Sequence, residues 1–405
     1  MVLTCETAVA DSTFLSQFVG NLNSNIFFRE FSFSRTSFKP QGGTEIELAD
    51  HVVRIGPLLF LYQLKERDRS ATISLEAWLQ SRVLKKATRQ IRNTVNLVRR
   101  STPVFVANGR GHVFDVAARP DDSVFRLILF KSGEERTALP YPRFHLSRSV
   151  GFIHILDALD YFGVCTYFIT PIEIADYLTW RERALQSSPD AQLVPEAALV
   201  GQYLVDELNS TPSARYEKAL GALQQEISSF DLSMIFHGLG DRVEYALGGD
   251  RETSYYPILA LMARLTRLDL RHLKERLVLA FQAVEKDQFK LPWRIVCPAL
   301  DCGFLVLPIT KEQFEKRLVI LRNVSLAAKY EQHTPNQIGI SVARFGSGHM
   351  IDWFYASSPW VLDEALEALL RDNYPFRPLK EKSEPRYRFS AEHLRRSGLR
   401  RNDPE

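Results

Sequence analysis

The chain has 405 residues, which at about 100–200 residues per domain predicts two or three domains. Apolar residues make up 45% and charged residues 24%, proportions that exclude global disorder. The net charge of +3 is too small to indicate a class of partner, so only local charge patterns can. Four cysteines are too few and too scattered for a disulfide framework. The start, MVLTCETAVADSTF, lacks the regions of a secretory signal, and no apolar run is long enough for a transmembrane helix. We therefore expect a cytoplasmic protein without a membrane partner.

The first part of the chain predicts helices and strands that would build an α/β core. Residues 13–20 predict a short helix, and the Phe-rich run at 25–34 predicts a strand. Two apolar runs at 46–55 and 58–65, separated by Gly56-Pro57, are typical of a hairpin. Residues 75–100 contain no Gly or Pro and predict one long helix. Its apolar stripe consists of Leu79, Val83, Ala87, Ile91, Val95 and Val98. Further strands are predicted at 103–107, 112–117 and 124–131.

The remainder of the chain predicts a helical region and then a second α+β segment. A strand at 152–156 leads into helices that end near residue 185, and the helical pattern continues to about 290. Within it, 258–287 predicts two packed helices or one bent helix. Strands return between 293 and 357, around a helix at 311–332, and a final helix is predicted at 361–372. We therefore expect domains at 1–185, 186–290 and 291–375, followed by a basic, flexible tail at 376–405.

The predicted hairpin carries polar residues that an ordinary apolar hairpin would not. Strand alternation places Gln63 and Lys65 on one face, and the Gly56-Pro57 turn brings Asp50 back toward them. The Asp50 carboxylate and the Gln63 carbonyl oxygen are hard oxygen ligands, which suit Mg²⁺. Lys65 could orient a water molecule or neutralise charge on a phosphate. This combination favours metal-assisted hydrolysis of a phosphodiester. The alternative is a polar sheet end with solvated side chains.

These residues carry a resemblance to a known superfamily. Asp50, a spacer of 12 residues and then Gln63-Leu64-Lys65 resemble the PD-(D/E)XK nucleases, in the QxK form of Mrr-like restriction enzymes. The resemblance covers about residues 10–130. It implies a restriction-endonuclease-like fold, in which helices flank a central mixed sheet. It also implies a catalytic set of Asp50, Gln63 and Lys65 with Mg²⁺ or Mn²⁺ as the cofactor. The first helix lacks the Glu that many members place there, and Glu47 is the candidate for a further metal ligand if a bulge turns its side chain toward Asp50.

The helix predicted at 75–100 has a strongly basic outer face. It carries seven Lys and Arg residues between 82 and 100 against one acid, Glu76. Helical spacing places Lys85, Arg89, Arg92 and Arg99 together on the side away from the apolar stripe. Such a face suits the phosphates of a nucleic acid, although an ordinary solvated helix face is the alternative.

The sequence thus predicts a Mg²⁺-dependent endodeoxyribonuclease. The resemblance implies that it acts in bacterial defence against phage or other foreign DNA, as a homodimer or with a partner protein of the defence system. Because Gln63 replaces the usual acid, a weakly active or inactive nuclease-like scaffold that binds nucleic acid or protein is the main alternative. An RNA-cutting toxin is a third. We expect Cys165 and His154 to be buried structural residues rather than a Cys–His catalytic pair.

Overall fold

The protein is described by a computed structural model in which the placement of most residues between 15 and 379 is defined. The described residues are 15–34, 37–38, 46–68, 70, 72–100, 103–133, 141–205, 209–221, 227–236, 239, 243–245 and 253–379. The chain divides into two compact units, one of residues 1–225 with 387–405 and one of residues 226–386. The predicted tail lies almost entirely outside the described residues. The predicted domain limits at 185 and 290 remain predictions.

The first unit contains a six-stranded mixed sheet with helices on both faces. Its helices are α1 (Leu15–Ile26), α2 (Leu75–Trp78, Leu79–Ala87 and Thr88–Val98, which run on without a break), α3 (Ala158–Tyr167), α4 (Pro171–Ser187) and α5 (Glu196–Leu204). Its strands are β1 (Ser32–Ser34), β2 (Ser37–Phe38), β3 (Ile46–Glu47), β4 (His51–Ile55), β5 (Leu58–Glu66), β6 (Phe105–Ala107), β7 (Val113–Asp115), β8 (Ser123–Lys131), β9 (Phe144–Ser147) and β10 (Gly151–Asp157).

The order of strands in this sheet is β1-β4-β5-β8-β10-β9. Strands β1, β4 and β5 form an antiparallel meander, whereas β5, β8 and β10 run parallel and β9 closes the edge antiparallel to β10. Helix α2 makes the crossover from β5 to β8, as a parallel connection requires. Helices α1 and α3 pack on the opposite face, where Tyr62 of β5 contacts Tyr161 of α3. The expected central mixed sheet flanked by helices is therefore confirmed.

The apolar stripe that the sequence predicts for α2 is confirmed. All six stripe residues are at most 5% exposed and belong to the core that packs against Leu59 and Leu61 of β5. Its middle segment, Leu79–Ala87, has the wider π-helical hydrogen bonding. The strict four-residue spacing of Leu79, Val83 and Ala87 agrees with this wider turn, because it keeps all three on the side facing the sheet.

Two of the predicted strands differ from the structure. The strand expected at 25–34 is wrong over most of its length, because α1 continues to Ile26 and a 3-10 turn occupies Arg29–Phe31. Between them, Phe28 has a φ of 62°, which an extended strand does not allow. The run at 46–55 is divided into β3 and β4. The Thr94 hydroxyl of α2 donates to the Leu48 carbonyl. This carbonyl is therefore bound to the helix, whereas a continuous strand would use it to pair with a neighbouring strand.

The second unit is built on a five-stranded sheet in the order β11-β15-β14-β13-β12. Its strands are β11 (Val243–Tyr245), β12 (Trp293–Cys297), β13 (Cys302–Ile309), β14 (Asn336–Phe345) and β15 (Gly348–Ser357). Its helices are α6 (Tyr256–Met262), α7 (Arg267–Glu285), α8 (Arg317–Glu331) and α9 (Glu364–Asp372). Strand β11 lies within the segment predicted to be helical, and it pairs with β15 from far along the chain. In the described part of the chain, no helix has the length and apolar character needed to span a bilayer.

Candidate functional site

The β4–β5 hairpin aligns Asp50 with Gln63, as the sequence predicts. Ile55 pairs with Leu58 across a two-residue turn, and the ladder continues to His51 opposite Tyr62. Gly56, the first residue of the turn, has a φ of 53°, and a positive φ at this position is typical of two-residue hairpins. One further step along the same register places Asp50 across from Gln63. The site therefore lies at the carboxyl end of β5, just before the first residue of β4.

Asp50 and Lys65 contact each other at this position. Asp50 Oδ2 accepts a hydrogen bond of 2.6 Å from the backbone N–H of Leu64, and Lys65 Nζ lies 3.8 Å from the same oxygen. Lys65 Nζ also donates to the Leu64 carbonyl at 2.7 Å. The side chains of Lys65 and Asp50 are 13% and 24% exposed, so the pair lies at the surface but is largely shielded. The Leu64 N–H orients the carboxylate of Asp50 by binding Oδ2, and Oδ1 has no donor among the described residues. No signal in the sequence could have identified this backbone contact.

Gln63 is the least ordinary residue of the group. Its side chain is on the α2 face of β5 together with Lys65, and the residue is only 3% exposed. Its Oε1 is buried and accepts no hydrogen bond from any described residue. An unsatisfied buried polar group costs about 1–3 kcal/mol, so a carbonyl oxygen in this state is a candidate ligand for a bound cation. The sequence predicted Gln63 as a ligand, but it could not reveal that the oxygen lacks a donor.

The other acids near the hairpin do not complete a dense cluster. Glu47 belongs to β3 and pairs with Ser37, but its side chain lies outside the described residues. Glu66 lies one residue beyond Lys65 and points to the opposite face, where Oε2 accepts the Leu15 N–H at 2.8 Å and Oε1 lies 3.5 Å from Lys131 Nζ. Among the residues whose placement is defined, no three His, Cys, Asp or Glu side chains converge. Asp50 and Gln63 are thus the two oxygen donors that the register of the hairpin aligns here.

The predicted basic residues of α2 lie on its outer side. Lys85, Arg89, Arg92 and Arg99 are exposed, and none forms a salt bridge or side-chain hydrogen bond with a described residue. We call these four residues the basic face. At 1.5 Å per residue it extends for roughly 20 Å along the helix. Trp78 of α2 packs on Phe130, which pairs with Lys65, so the Lys85 end of the basic face is the end nearer the site.

A second cluster of charged residues in this unit is fully enclosed. Glu196 of α5 binds Arg181 and Arg143 and also accepts from the Tyr177 hydroxyl. Burial alone would raise the pKa of Glu196, but the two arginines outweigh burial and lower it. Arg181 also donates to Nδ1 of His154 at 3.2 Å, which requires a neutral imidazole at His154. Burial and the Arg181 charge lower the pKa of His154 accordingly. These contacts join α4 and α5 to the β9–β10 edge, and they are structural.

Cys165 is also a structural residue. It is 0% exposed, and burial raises the pKa of its thiol to about 12, so it remains protonated at neutral pH. His154 is bound to Arg181 and is 2% exposed, so both residues are buried, as the sequence predicts.

The comparisons with known proteins identify no relative. No protein-family model matches the sequence, no curated protein is significantly similar to it, and no solved structure matches its fold.

Proposed function

We propose that the protein is a metal-dependent nuclease that hydrolyses phosphodiester bonds of DNA. The observation that carries this proposal is the contact between Asp50 and Lys65 at the end of β5, where Gln63 has a buried Oε1 that accepts no hydrogen bond from a described residue. A carboxylate and an amide oxygen can bind a hard cation, and an ammonium group can stabilise negative charge on a phosphate, as metal-assisted hydrolysis of a phosphodiester uses them. The surrounding order of helix, antiparallel strands, helix and parallel strand agrees with the resemblance to the PD-(D/E)XK nucleases.

The oxygen donors fit a hard divalent cation. Mg²⁺ binds few protein oxygens and keeps several waters, so two protein ligands are compatible with it. Oδ1 of Asp50 and Oε1 of Gln63 would hold Mg²⁺ or Mn²⁺, and Glu47 remains the proposed further ligand. When bound, the ion would lower the pKa of a water molecule and neutralise charge on the phosphate.

The protein's own groups would position the reactants. The Leu64 N–H holds Oδ2 of Asp50, which keeps the carboxylate in a fixed orientation. Lys65 is held by the Leu64 carbonyl and by Asp50, so its ammonium can orient the attacking water or neutralise the negative charge that develops on the phosphate. The basic face would bind the phosphates of the DNA backbone, which requires no particular base sequence. A role in defence against foreign DNA, as a homodimer or with a partner protein, belongs to the same proposal.

The test compares two lysines of neighbouring strands. Lys65→Ala and, as the matched control, Lys131→Ala each remove a lysine that contacts an acid, at 3.8 Å from Asp50 and 3.5 Å from Glu66 respectively. Incubated with plasmid and linear DNA in Mg²⁺ or Mn²⁺, the Lys65 variant should lose roughly 10²–10⁴-fold in cleavage rate. The Lys131 variant should retain the wild-type rate. Equal cleavage by wild type and Lys65→Ala would remove Lys65 from the mechanism.

A second candidate function is a nuclease-like scaffold that binds nucleic acid without cleaving it. Two observations favour it, namely Gln63 in the place of an acid and the lack of three converging acidic, His or Cys side chains within the described residues. Tight DNA binding without cleavage in all three proteins would support this candidate. Cleavage of RNA but not DNA in the same assay would instead support the RNA-cutting toxin.

A further inference from the structure

The hairpin of β6 and β7 presents an apolar outer face to solvent. Phe105 and Val113 are 56% and 64% exposed, whereas Val106, on the inner face, is 4% exposed. The pairing of Phe105 with Asp115 and of Ala107 with Val113 puts these four residues on the outer face. We call residues 105–115 the wing. An exposed Phe on a short strand is costly to solvate, so this face is a candidate for contact with a partner.

The wing is held firmly at both ends. At its base, the Ala118 N–H donates to the Val98 carbonyl of α2 at 2.7 Å, and the Val116 N–H donates to Val104 at 2.9 Å. At its tip, Nδ2 of Asn108 donates to the Glu30 carbonyl at 2.8 Å. Arg110 Nε also lies 2.9 Å from the Glu30 carboxylate. Phe105 is therefore presented on a fixed support, which reduces the entropy lost on binding.

Positive charge lies directly beside the wing. Helix α2 ends at Val98, the carbonyl that anchors the wing, and the exposed Arg99 and Arg100 follow it. The acid opposite Phe105, Asp115, is exposed on the same face. Its Oδ1 accepts the N–H groups of Val104 (2.8 Å) and Ala117 (3.0 Å), so the carboxylate is held at the base of the wing. An exposed aromatic ring beside exposed arginines is the combination that binds the bases and phosphates of unpaired nucleic acid strands.

We propose that the wing binds unstacked bases of a nucleic acid strand whose phosphates lie along the basic face, with the Phe105 ring stacked on a base. The inference rests on the nucleic-acid contact of the proposed function and adds a preference for single-stranded or frayed substrates. Ala107 and Val113 on the outer face have no side-chain donor or acceptor to read base edges, and Oδ1 of Asp115, the cross-strand partner of Phe105, already accepts two backbone N–H groups. Stacking without base-edge hydrogen bonds suits unpaired bases and gives little sequence preference.

The test measures binding without cleavage. The full-length protein is titrated in EDTA with single-stranded oligothymidylate and with a duplex of the same length, by fluorescence anisotropy. Phe105→Ala should weaken single-strand binding about 5- to 100-fold, the loss expected for one base–aromatic stack, and should change duplex binding less than about 2-fold. Phe105→Trp should bind at least as tightly as wild type. The matched control is Leu146→Ala, an apolar side chain that is 63% exposed on the edge strand β9. It should bind like wild type.

Several results would overturn the inference. The first is that Phe105→Leu or Phe105→Ala binds the single strand as tightly as the wild type. The second is that Phe105→Ala loses as much affinity for the duplex as for the single strand. The third is that the wild-type protein does not bind the single strand. Wild-type affinity of Phe105→Leu would indicate a non-stacking apolar contact, as a protein partner would make. Because the titration contains no divalent ion, its result is independent of Lys65-dependent cleavage. If the single strand binds through Phe105 but the separate Mg²⁺ assay shows no DNA cleavage, the inference stands and the proposed nuclease is wrong. If DNA is cleaved but Phe105→Ala binds the single strand like wild type, the nuclease proposal stands and the inference is wrong.

Discussion

Substitution of Gln63 by Glu introduces a carboxylate where a buried amide oxygen has no donor among the described residues. The residue is 3% exposed, so the new charge would be largely removed from water. An uncompensated buried charge lowers the free energy of unfolding by about 3–5 kcal/mol. Lys65 is on the same face and lies 3.8 Å from Asp50 Oδ2. Its ammonium group can therefore partly compensate the negative charge of the new carboxylate. We therefore expect a loss of about 2–3 kcal/mol in EDTA, below the range for a fully isolated charge.

Mg²⁺ should reverse this loss if Asp50 and residue 63 bind a cation together. A ligand present at about 100 times its dissociation constant stabilises the native state by about 2.7 kcal/mol, which is close to the expected loss. The assay is urea denaturation of Gln63→Glu with EDTA and with saturating Mg²⁺. The matched control is Gln337→Glu in the second unit, where another fully buried glutamine has an Oε1 without a donor among the described residues. If Mg²⁺ stabilises both variants equally, the reasoning about a cation at Gln63 is refuted.

Three further predictions concern the first unit. Glu196→Gln leaves two buried arginines without their carboxylate and should lower the free energy of unfolding by about 3–5 kcal/mol in urea denaturation; a loss under about 1 kcal/mol would contradict the ionic network. Burial lowers the pKa of His51, so the unfolded chain takes up the proton first, and stability should fall below about pH 6.5 by up to about 1.4 kcal/mol per pH unit. In His51→Gln the free energy of unfolding should fall less steeply between pH 7 and pH 5. An unchanged slope would show that His51 is not the group responsible for the pH dependence. A Cβ at Gly201 would clash with the Tyr216 carbonyl oxygen, so Gly201→Ala should lower the melting temperature, whereas Gly163→Ala, with open space at its Cβ, should not.

Features that depend on local pattern could be predicted from the sequence. The six-residue stripe of α2 follows from helical periodicity and is buried as expected. The alignment of Asp50 with Gln63 follows from one tight turn at Gly56-Pro57, because a two-residue loop fixes the register of both strands. The predicted site residues were therefore the ones for which a short-range signal exists.

Features that depend on distant contacts could not be predicted in this way. The Phe-rich run at 25–34 has strand composition, but α1 extends into it and the remainder turns at Phe28. Strand β11 is defined by its partner β15, more than a hundred residues away, and not by its own three residues. That no described residue donates to Gln63 Oε1 depends on the packing of α2 over β5, which no spacing rule describes.

The most direct test of the proposed nuclease is the rate of Mg²⁺-dependent DNA cleavage by Asp50→Asn beside the wild-type protein. An Asn oxygen can still accept the Leu64 N–H that now binds Oδ2 at 2.6 Å, so the variant should fold and melt like the wild type. It lacks the charge that would bind the metal, so the wild type should cleave DNA and the variant should be at least about 100-fold slower. Cleavage by Asp50→Asn at the wild-type rate would contradict the assignment of this hairpin as the catalytic site.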